Sequence, residues 1–345
     1  MISQATLLIA KTLGLLFVLL VTAIGVSAQP GDTRSPEEIR QHLEKGLEQA
    51  SEEIRNHPEQ YGGYERRARI YTELRGRTND PAEREFYTEK ALTDFAKSIE
   101  LDPDFWPNYR DRAFVRTVTD RLKNFEDIRG DYVTAIRLIK VSKHTDSDYD
   151  IQILYNQLAD LYMFRGESLV ANPKLIAELY LDPSEYSAWD DFDKGIAYAK
   201  KGVGVPAHWW NVVAAILRKG DLAFKRRDYE CALGAYLSDE ELLGKDLALV
   251  CEGAHGYDQC ERLQRDMLLT FSIRRGRAYL KLGRAEDALR ELNVYFEKAY
   301  HLECPDIFVL RAQAHWALGN DELAKADEET ARKKGSNSCP FDLQK

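Results

Sequence analysis

Apolar and small side chains recur along the chain at helical rather than strand spacing. Ala91, Phe95, Ser98 and Leu101 are four, three and three residues apart, which places them on one face of a helix. Pro103 ends that helix because proline cannot donate the next backbone hydrogen bond. Variants of this stretch follow down the chain, and nowhere does a convincing β-hairpin pattern appear. The pattern predicts an all-α protein built from helical hairpins.

A single helix precedes the first hairpin, over residues 36–58. Ser35 is a good helix cap, Pro36 suits the first turn, and the acids that follow face the positive end of the helix. Its apolar stripe predicts a half-repeat that shields the end of a stack.

About six hairpins fill residues 59–334, and residues 335–345 form a tail. Insertions are predicted near 76–85, 167–186 and 243–260, with a turn at Gly166. In the last hairpin Glu328 replaces the large apolar residue of the closing helix, which is Phe95 in the first hairpin. This predicts a last helix that faces water. Each opening helix is marked by a small residue where it crosses its partner: Ala68, Ala113, Ala159, Gly220, Gly276 and Ala312.

These motifs resemble tetratricopeptide repeats over about residues 40–334. The most specific stretches are Ala91 to Pro103 and Gly276 to Ala288. The resemblance implies a right-handed α-α superhelical solenoid. It also implies a concave groove, lined by the opening helices, that binds an extended peptide or a helix.

By that resemblance, the side chains beside each small residue face the groove. The paired Lys and Asn that clamp a peptide carboxylate in some relatives are missing, since Glu65, Arg69, Arg110 and Phe114 stand there. The groove candidates are Glu65, Arg69, Thr72, Arg110, Phe114, Thr117, Asn156, Asp160, Met163, Asp221, Phe224, Lys225, Arg277, Lys281, Gln313 and Trp316.

Residues 1–28 have the pattern of a signal peptide. An apolar run reaches Ala28, and Val26-Ser27-Ala28 supplies small residues for cleavage before Gln29. A polar linker occupies 29–35. The alternative is an uncleaved membrane anchor, because the apolar run is about long enough to cross a bilayer. Either way we expect an exported chain, periplasmic or extracellular.

Five cysteines remain after residue 28, and export makes disulfides plausible. Cys251 can pair with Cys260 across a short loop, and Cys304 with Cys339 at one edge. Cys231 is then left unpaired and packs as a small hydrophobe. Cys251, His255 and Cys260 do not match a zinc-finger spacing, so no metal is expected.

The chain has 345 residues and a net charge of −9, without the basic clusters of a nucleic-acid-binding protein. No nucleophile–base pair or phosphate loop is visible, which argues against an enzyme and against a cofactor. Trp209-Trp210 is either buried against the third-hairpin insertion or an aromatic platform for a peptide or glycan.

The expected function is therefore an exported scaffold that binds a protein or peptide non-covalently in its groove. The alternative is a chaperone-like or assembly module that uses loops 167–186 and 243–260. A hydrolase-type enzyme with an unrecognised site is a remote third possibility.

Overall fold

The structure is a computed structural model that describes residues 34–142, 147–179, 181, 187–202, 206–238, 257–298 and 304–335. Within these ranges the regular structure is helical and no strand occurs, which confirms the predicted all-α class. The helices are α1 Pro36–Asn56, α2 Tyr61–Arg77, α3 Pro81–Leu101, α4 Trp106–Thr119, α5 Phe125–Ser142, α6 Ser147–Ala171, α7 Leu175–Glu178, α8 Ala188–Lys201, α9 Pro206–Lys225, α10 Tyr229–Leu237, α11 Tyr257–Lys281, α12 Ala285–Lys298, α13 Pro305–Ala317 and α14 Asp321–Lys334.

Consecutive helices pair as antiparallel hairpins, as α2 and α3 illustrate. The hydroxyl of Ser98 donates to the carbonyl of Tyr61 at 3.2 Å, near the start of α2 and the end of α3. Towards the other end of α2, Arg75 donates to Thr88 at 2.9 Å. Residue numbers that rise on one helix while they fall on the other define the antiparallel arrangement.

The chain divides into two compact units at Asp102 and Pro103. The first unit holds α1, α2 and α3. Ser35 and Glu38 form the predicted cap of α1, since each side chain accepts a hydrogen bond from the other residue's backbone N–H. Leu43 and Ala50 are the buried residues of this helix.

The predicted insertion at 76–85 is wrong. Helix α2 continues to Arg77 and α3 begins at Pro81, so only Thr78, Asn79 and Asp80 connect them. The carboxylate of Asp80 accepts from the backbone N–H of Ala82 at 2.8 Å. This cap, followed by proline in the first turn, starts the helix earlier than the sequence interpretation allowed.

The second unit holds the remaining hairpins: α4 with α5, α6 with α8, α9 with α10, α11 with α12, and α13 with α14. Short α7 lies in the connection between α6 and α8. Ala113, Ile128 and Leu158 belong to one buried cluster of this unit, and Ile216, Tyr236 and Phe271 to another.

The prediction that Gly166 forms a turn is also wrong. Gly166 lies inside α6, where a Cβ atom would stand 2.8 Å from the ring of Phe192. A side chain there would overlap the ring, so glycine permits this close approach of α6 and α8. Helix α6 then continues to Ala171, which removes residues 167–171 from the predicted insertion at 167–186.

Helix α14 buries Ala324, Asp327 and Ala331 and exposes most of its other residues. This single buried face agrees with a terminal helix that shields the stack from water.

Several predictions lie outside the described residues. They are the signal peptide or anchor at 1–28, most of the 243–260 insertion, and the tail after Gly335. Helix α11 begins at Tyr257, so residues 257–260 are helical rather than inserted loop. Among the helices that the structure describes, none combines the length and apolarity needed to cross a bilayer.

Candidate functional site

Most hairpins contain an arginine–carboxylate pair between their two helices. In the first, Arg67 binds both carboxylate oxygens of Asp94 at 2.7 and 2.8 Å. In each case the arginine directly precedes the small residue of the opening helix. The acid directly precedes the large apolar residue of the closing helix, except in the last hairpin, where Glu328 stands in its place. The other pairs are Arg112–Asp131, Arg165–Asp191, Arg275–Glu291 and Arg311–Asp327. These charges are engaged inside their hairpins, so they do not form an open binding site.

A second group of ion pairs joins neighbouring opening helices of the second unit. Asp160 on α6 lies 2.9 Å from Arg121 and 3.2 Å from Arg218 on α9. Arg218 also forms two hydrogen bonds to Glu167, at 2.7 and 2.9 Å. Burial opposes the positive charge of Arg218, but its carboxylate partners raise its pKa above the usual value. Asp160, a predicted groove residue, is therefore already neutralised.

The ion pairs continue from α9 to α11. Asp221 accepts two hydrogen bonds from Arg274, at 2.8 and 3.1 Å, and a third from the hydroxyl of Tyr236 at 2.7 Å. Asp221 is thus also engaged and acts as a link between adjacent hairpins.

Beyond these links, three consecutive opening helices form a cleft of about 260 Å³. The last turn of α9, one face of α11 and one face of α13 line this cleft. Residues three or four apart on a helix share a face, which explains the spacing of the lining residues on α11 and α13. The lining consists of Phe224, Arg277, Leu280, Lys281, Asp306, Val309, Leu310 and Gln313.

Two cations in this cleft lack a carboxylate within ion-pair distance among the described residues: Arg277 and Lys281. The guanidinium of Arg277 lies 4.8 Å from the centre of the Phe224 ring, which orients it over the aromatic face. Burial lowers the pKa of Arg277, and the nearby positive charge of Arg274 adds to this effect. An incoming anion would relieve that electrostatic cost.

Four predicted groove residues meet at the cleft, namely Phe224, Arg277, Lys281 and Gln313. The other four lining residues were missed: Leu280, Asp306, Val309 and Leu310. A signal was present, because positions 306, 309/310 and 313 have the spacing of a single helix face. Whether that face meets a neighbouring helix cannot be read from its own spacing.

The remaining predicted residues lie elsewhere. Arg69 forms an i,i+4 ion pair with Glu65 at 2.8 Å in the first unit. Arg110 donates to Asp111 at 2.7 Å and lies over the ring of Trp106. These two arginines therefore have local partners.

Three further candidates occupy structural or peripheral positions. The amide nitrogen of Asn156 donates to the carbonyls of Gln152 at 3.0 Å and Gly202 at 3.4 Å, so it packs against the end of α8. Phe114 is half-buried on α4. Lys225 is exposed and lies outside the cleft lining.

Trp316 is 40% exposed, and its indole N–H donates to Glu328 at 2.9 Å. Trp209 and Trp210 belong to α9, but their side chains lie outside the description. The two readings of that pair therefore stay predictions.

Cys231 is a free, half-buried thiol that packs against the core, as predicted. Cys304 is buried at the start of α13. The side chains of Cys251, Cys260 and Cys339 lie outside the described residues, so the disulfides stay predictions. Among the described side chains, no group of three or more His, Cys, Asp or Glu residues is placed to hold a metal ion.

The fold defines a helical-hairpin repeat protein, and its helix pairs agree with the tetratricopeptide resemblance. No protein-family model matches the chain, and no curated protein matches it.

Among solved structures it is similar to several chains, all at low TM-score. The Cut9–Hcn1 hetero-tetramer of the APC/C matches with a TM-score of 0.31 and 15% identity, over 93% of this chain and 49% of that one. This chain thus spans about half the length of the chain that it matches in that structure. YrrB, a TPR protein with an unusual peptide-binding site, matches at 0.28 and 13%, over 84% and 94%. PilW, a type IV pilus biogenesis factor, matches at 0.30 and 17%, over 79% and 94%. Scores this low carry no conclusion about function.

Proposed function

We propose that this chain is an exported scaffold that binds a protein or peptide partner non-covalently through the cleft of α9, α11 and α13. The observation that carries the proposal is that two cations without a carboxylate of the described residues in ion-pair distance lie beside apolar side chains. Arg277 and Lys281 supply the positive charge, beside Phe224, Leu280 and Val309.

The chemistry of the cleft favours a short segment that carries a carboxylate next to an apolar side chain. An arginine held over an aromatic ring is pre-ordered, so little side-chain entropy is lost when a carboxylate binds. Gln313 offers an amide that can donate to or accept from a peptide backbone. Asp306 on the opposite wall would repel a purely anionic ligand and thereby adds selectivity.

The cleft is tested by selecting random displayed peptides on the purified chain and measuring their affinity by fluorescence anisotropy. Selected peptides should combine an acidic residue with an apolar neighbour. Replacing Arg277 or Lys281 with glutamine should weaken binding about ten-fold, equivalent to about 1.4 kcal/mol.

Lys225→Gln is the matched control, because this lysine is exposed on the same helix as Phe224 but does not line the cleft. It should change the affinity by less than about two-fold. Peptides without carboxylates, or peptides whose binding is unaffected by Arg277→Gln, would contradict the proposal.

Export is tested separately, because it rests on residues 1–28 alone. The proposal expects the mature protein outside the cytoplasm with Gln29 as its first residue, which N-terminal sequencing would detect. An N-terminus at residue 1 in a membrane fraction would favour the anchor. The proposed disulfides predict a thiol-alkylated mass that rises on reduction, whereas five free thiols without reductant would reject them.

A further inference from the structure

A row of stacked tyrosines lies on α6 and α8, away from the cleft-forming helices. The rings of Tyr155 and Tyr198 are stacked with centroids 6.2 Å apart, and those of Tyr162 and Tyr198 with centroids 5.5 Å apart. Tyr162 is buried, whereas Tyr155 and Tyr198 are half-buried and reach the surface. The row is therefore a fixed feature with two accessible rings.

Exposed lysines surround this row. The ammonium of Lys140 on α5 donates to the hydroxyl of Tyr155 at 2.9 Å. Lys201 lies 5.1 Å from the centre of the Tyr198 ring. Lys194 lies 5.9 Å from the Tyr162 ring at the other end. The tyrosine–lysine patch consists of Lys140, Tyr155, Tyr162, Lys194, Tyr198 and Lys201.

The lysines of the patch are not neutralised by carboxylates of the described chain. All three are exposed, and none has a carboxylate within ion-pair distance there. Two acids on the same helices are engaged elsewhere: Glu126 contacts Arg129 and Arg165, and Asp193 contacts Lys219.

We propose that the tyrosine–lysine patch binds an acidic, extended segment of a partner protein. Side chains two residues apart on an extended strand lie on the same side, about 6.7 Å apart. That interval is close to the 6.2 Å between the two accessible rings, Tyr155 and Tyr198, so alternate side chains of the segment can lie along this pair. Lysines at both ends of the row supply the opposite charge.

An anionic membrane is the less suitable occupant. The net charge of −9 repels the whole chain from a negatively charged bilayer, whereas a peptide meets only the local surface. The patch lies on α5, α6 and α8, and the cleft on α9, α11 and α13, so each can be tested while the other is intact.

The probe is a fluorescein-labelled peptide in which Glu alternates with Ser, and binding to the full chain is followed by anisotropy. Replacing Lys140, Lys194 and Lys201 together with glutamine should weaken binding about ten-fold or more, because three positive charges that could attract the acidic side chains are lost. Replacing the same lysines with arginine should preserve binding. Added salt should weaken the wild-type complex.

The matched control replaces three exposed lysines elsewhere in the same unit, Lys123, Lys325 and Lys333, with glutamine. It makes the same change in net charge and should alter affinity by less than about two-fold. Equal losses in the two triple variants would overturn the proposal, as would equal binding of a Gln–Ser peptide. Binding to phosphatidylglycerol vesicles without binding to the Glu–Ser peptide would also overturn it. Circular dichroism of each variant separates these results from unfolding.

Discussion

The third and fourth hairpins of the molecule hold their helices together by different means. In the third, Arg165 forms two hydrogen bonds of 2.8 Å with Asp191, and both side chains are buried. At the equivalent positions of the fourth hairpin stand Lys219 and Ala235, which form no such pair. Lys219 instead reaches Asp193 on α8. The third hairpin therefore combines a buried ion pair with the close approach of Gly166 to Phe192, whereas the fourth hairpin has no such pair between these positions.

The fourth hairpin relies on close packing without the buried ion pair. The Tyr236 ring lies against Gly220 so tightly that a Cβ atom at Gly220 would overlap it. The Tyr236 hydroxyl then donates to Asp221, which also binds Arg274 on α11. Asp221 therefore stabilises the contact between the fourth and fifth hairpins. This contact lies beside the cleft that Phe224 lines. The fourth hairpin thus uses its charges between repeats, whereas the fifth and sixth hairpins, which also line the cleft, keep the pairs Arg275–Glu291 and Arg311–Asp327 between their own helices.

The largest expected effect comes from breaking the buried pair of the third hairpin. Asp191→Ala leaves the buried Arg165 guanidinium with only its longer contact to Glu126, at 3.5 Å, and should lower the free energy of unfolding by about 3–5 kcal/mol. Urea denaturation followed by circular dichroism measures this loss.

The control for that change removes both charges together. Arg165→Met with Asp191→Leu replaces the pair with apolar side chains, which is often close to neutral. The double variant should thus be more stable than Asp191→Ala alone. A double variant as unstable as the single one would mean that the charge pair is not what holds this hairpin.

The second effect tests packing in the fourth hairpin. Gly220→Ala should cost about 1–3 kcal/mol, because the new methyl group must displace the Tyr236 ring. Gly234→Ala on the partner helix α10 is the matched control, since nothing lies within 4 Å of its Cβ position. That change should stabilise the helix by about 0.5–1 kcal/mol. Similar effects of the two substitutions would contradict the packing account.

The third effect concerns the large residue at which the two helices of a hairpin cross, in the second hairpin and in the fourth. Tyr132 of the second hairpin follows Asp131, as Tyr236 follows Ala235 in the fourth. Burial raises the pKa of Tyr132 to about 12, against about 10 in an unfolded chain. Between these values the unfolded chain releases a proton that the folded chain keeps.

Stability contributed by Tyr132 is therefore complete below pH 10 and falls as the pH rises towards 12, by up to about 1.4 kcal/mol per pH unit. Tyr132→Phe should remove this part of the alkaline loss. Urea midpoints of both proteins at pH 8 and pH 11 measure it. Parallel losses in wild type and variant would show that Tyr132 does not titrate as its burial requires.

The sequence predicted the helical hairpins well, but it misplaced the third crossing. Ala159 and Gly166 are both small and seven residues apart on one face of α6, so size alone could not separate them. Both lie against α8: Ala159 is next to Gly195, and Gly166 is next to the ring of Phe192. The arginine that directly precedes the small residue marks Gly166 as the equivalent of Ala68 and Gly276.

The cleft was predicted only in part for a related reason. Local spacing identified Arg277 and Lys281 as neighbours on one face. The acids Asp160 and Asp221 also lie on predicted groove faces. They form ion pairs with Arg218 and Arg274, each on the next opening helix. Such pairing depends on contacts between hairpins, which the spacing within one helix does not encode.

The smallest expected effect concerns the turn of the fourth hairpin. Arg227 adopts a φ of 65°, and the following N–H, of Asp228, donates to the carbonyl of Ala223 at 3.0 Å. In the fifth hairpin, Gly283 has a φ of 73° and the N–H of Arg284 donates to Tyr279 at 2.9 Å. The two turns are the same helix-ending motif, but only one of them uses glycine.

A left-handed conformation costs a non-glycine residue about 1–2 kcal/mol, part of which is offset because glycine loses more entropy on folding. Arg227→Gly should therefore stabilise the chain by about 0.5–1 kcal/mol, and Gly283→Ala should destabilise it by a similar amount. Thermal unfolding of the two variants beside wild type measures both changes. Shifts of the same sign would mean that contacts of the Arg227 side chain, rather than its backbone conformation, determine the stability of this turn.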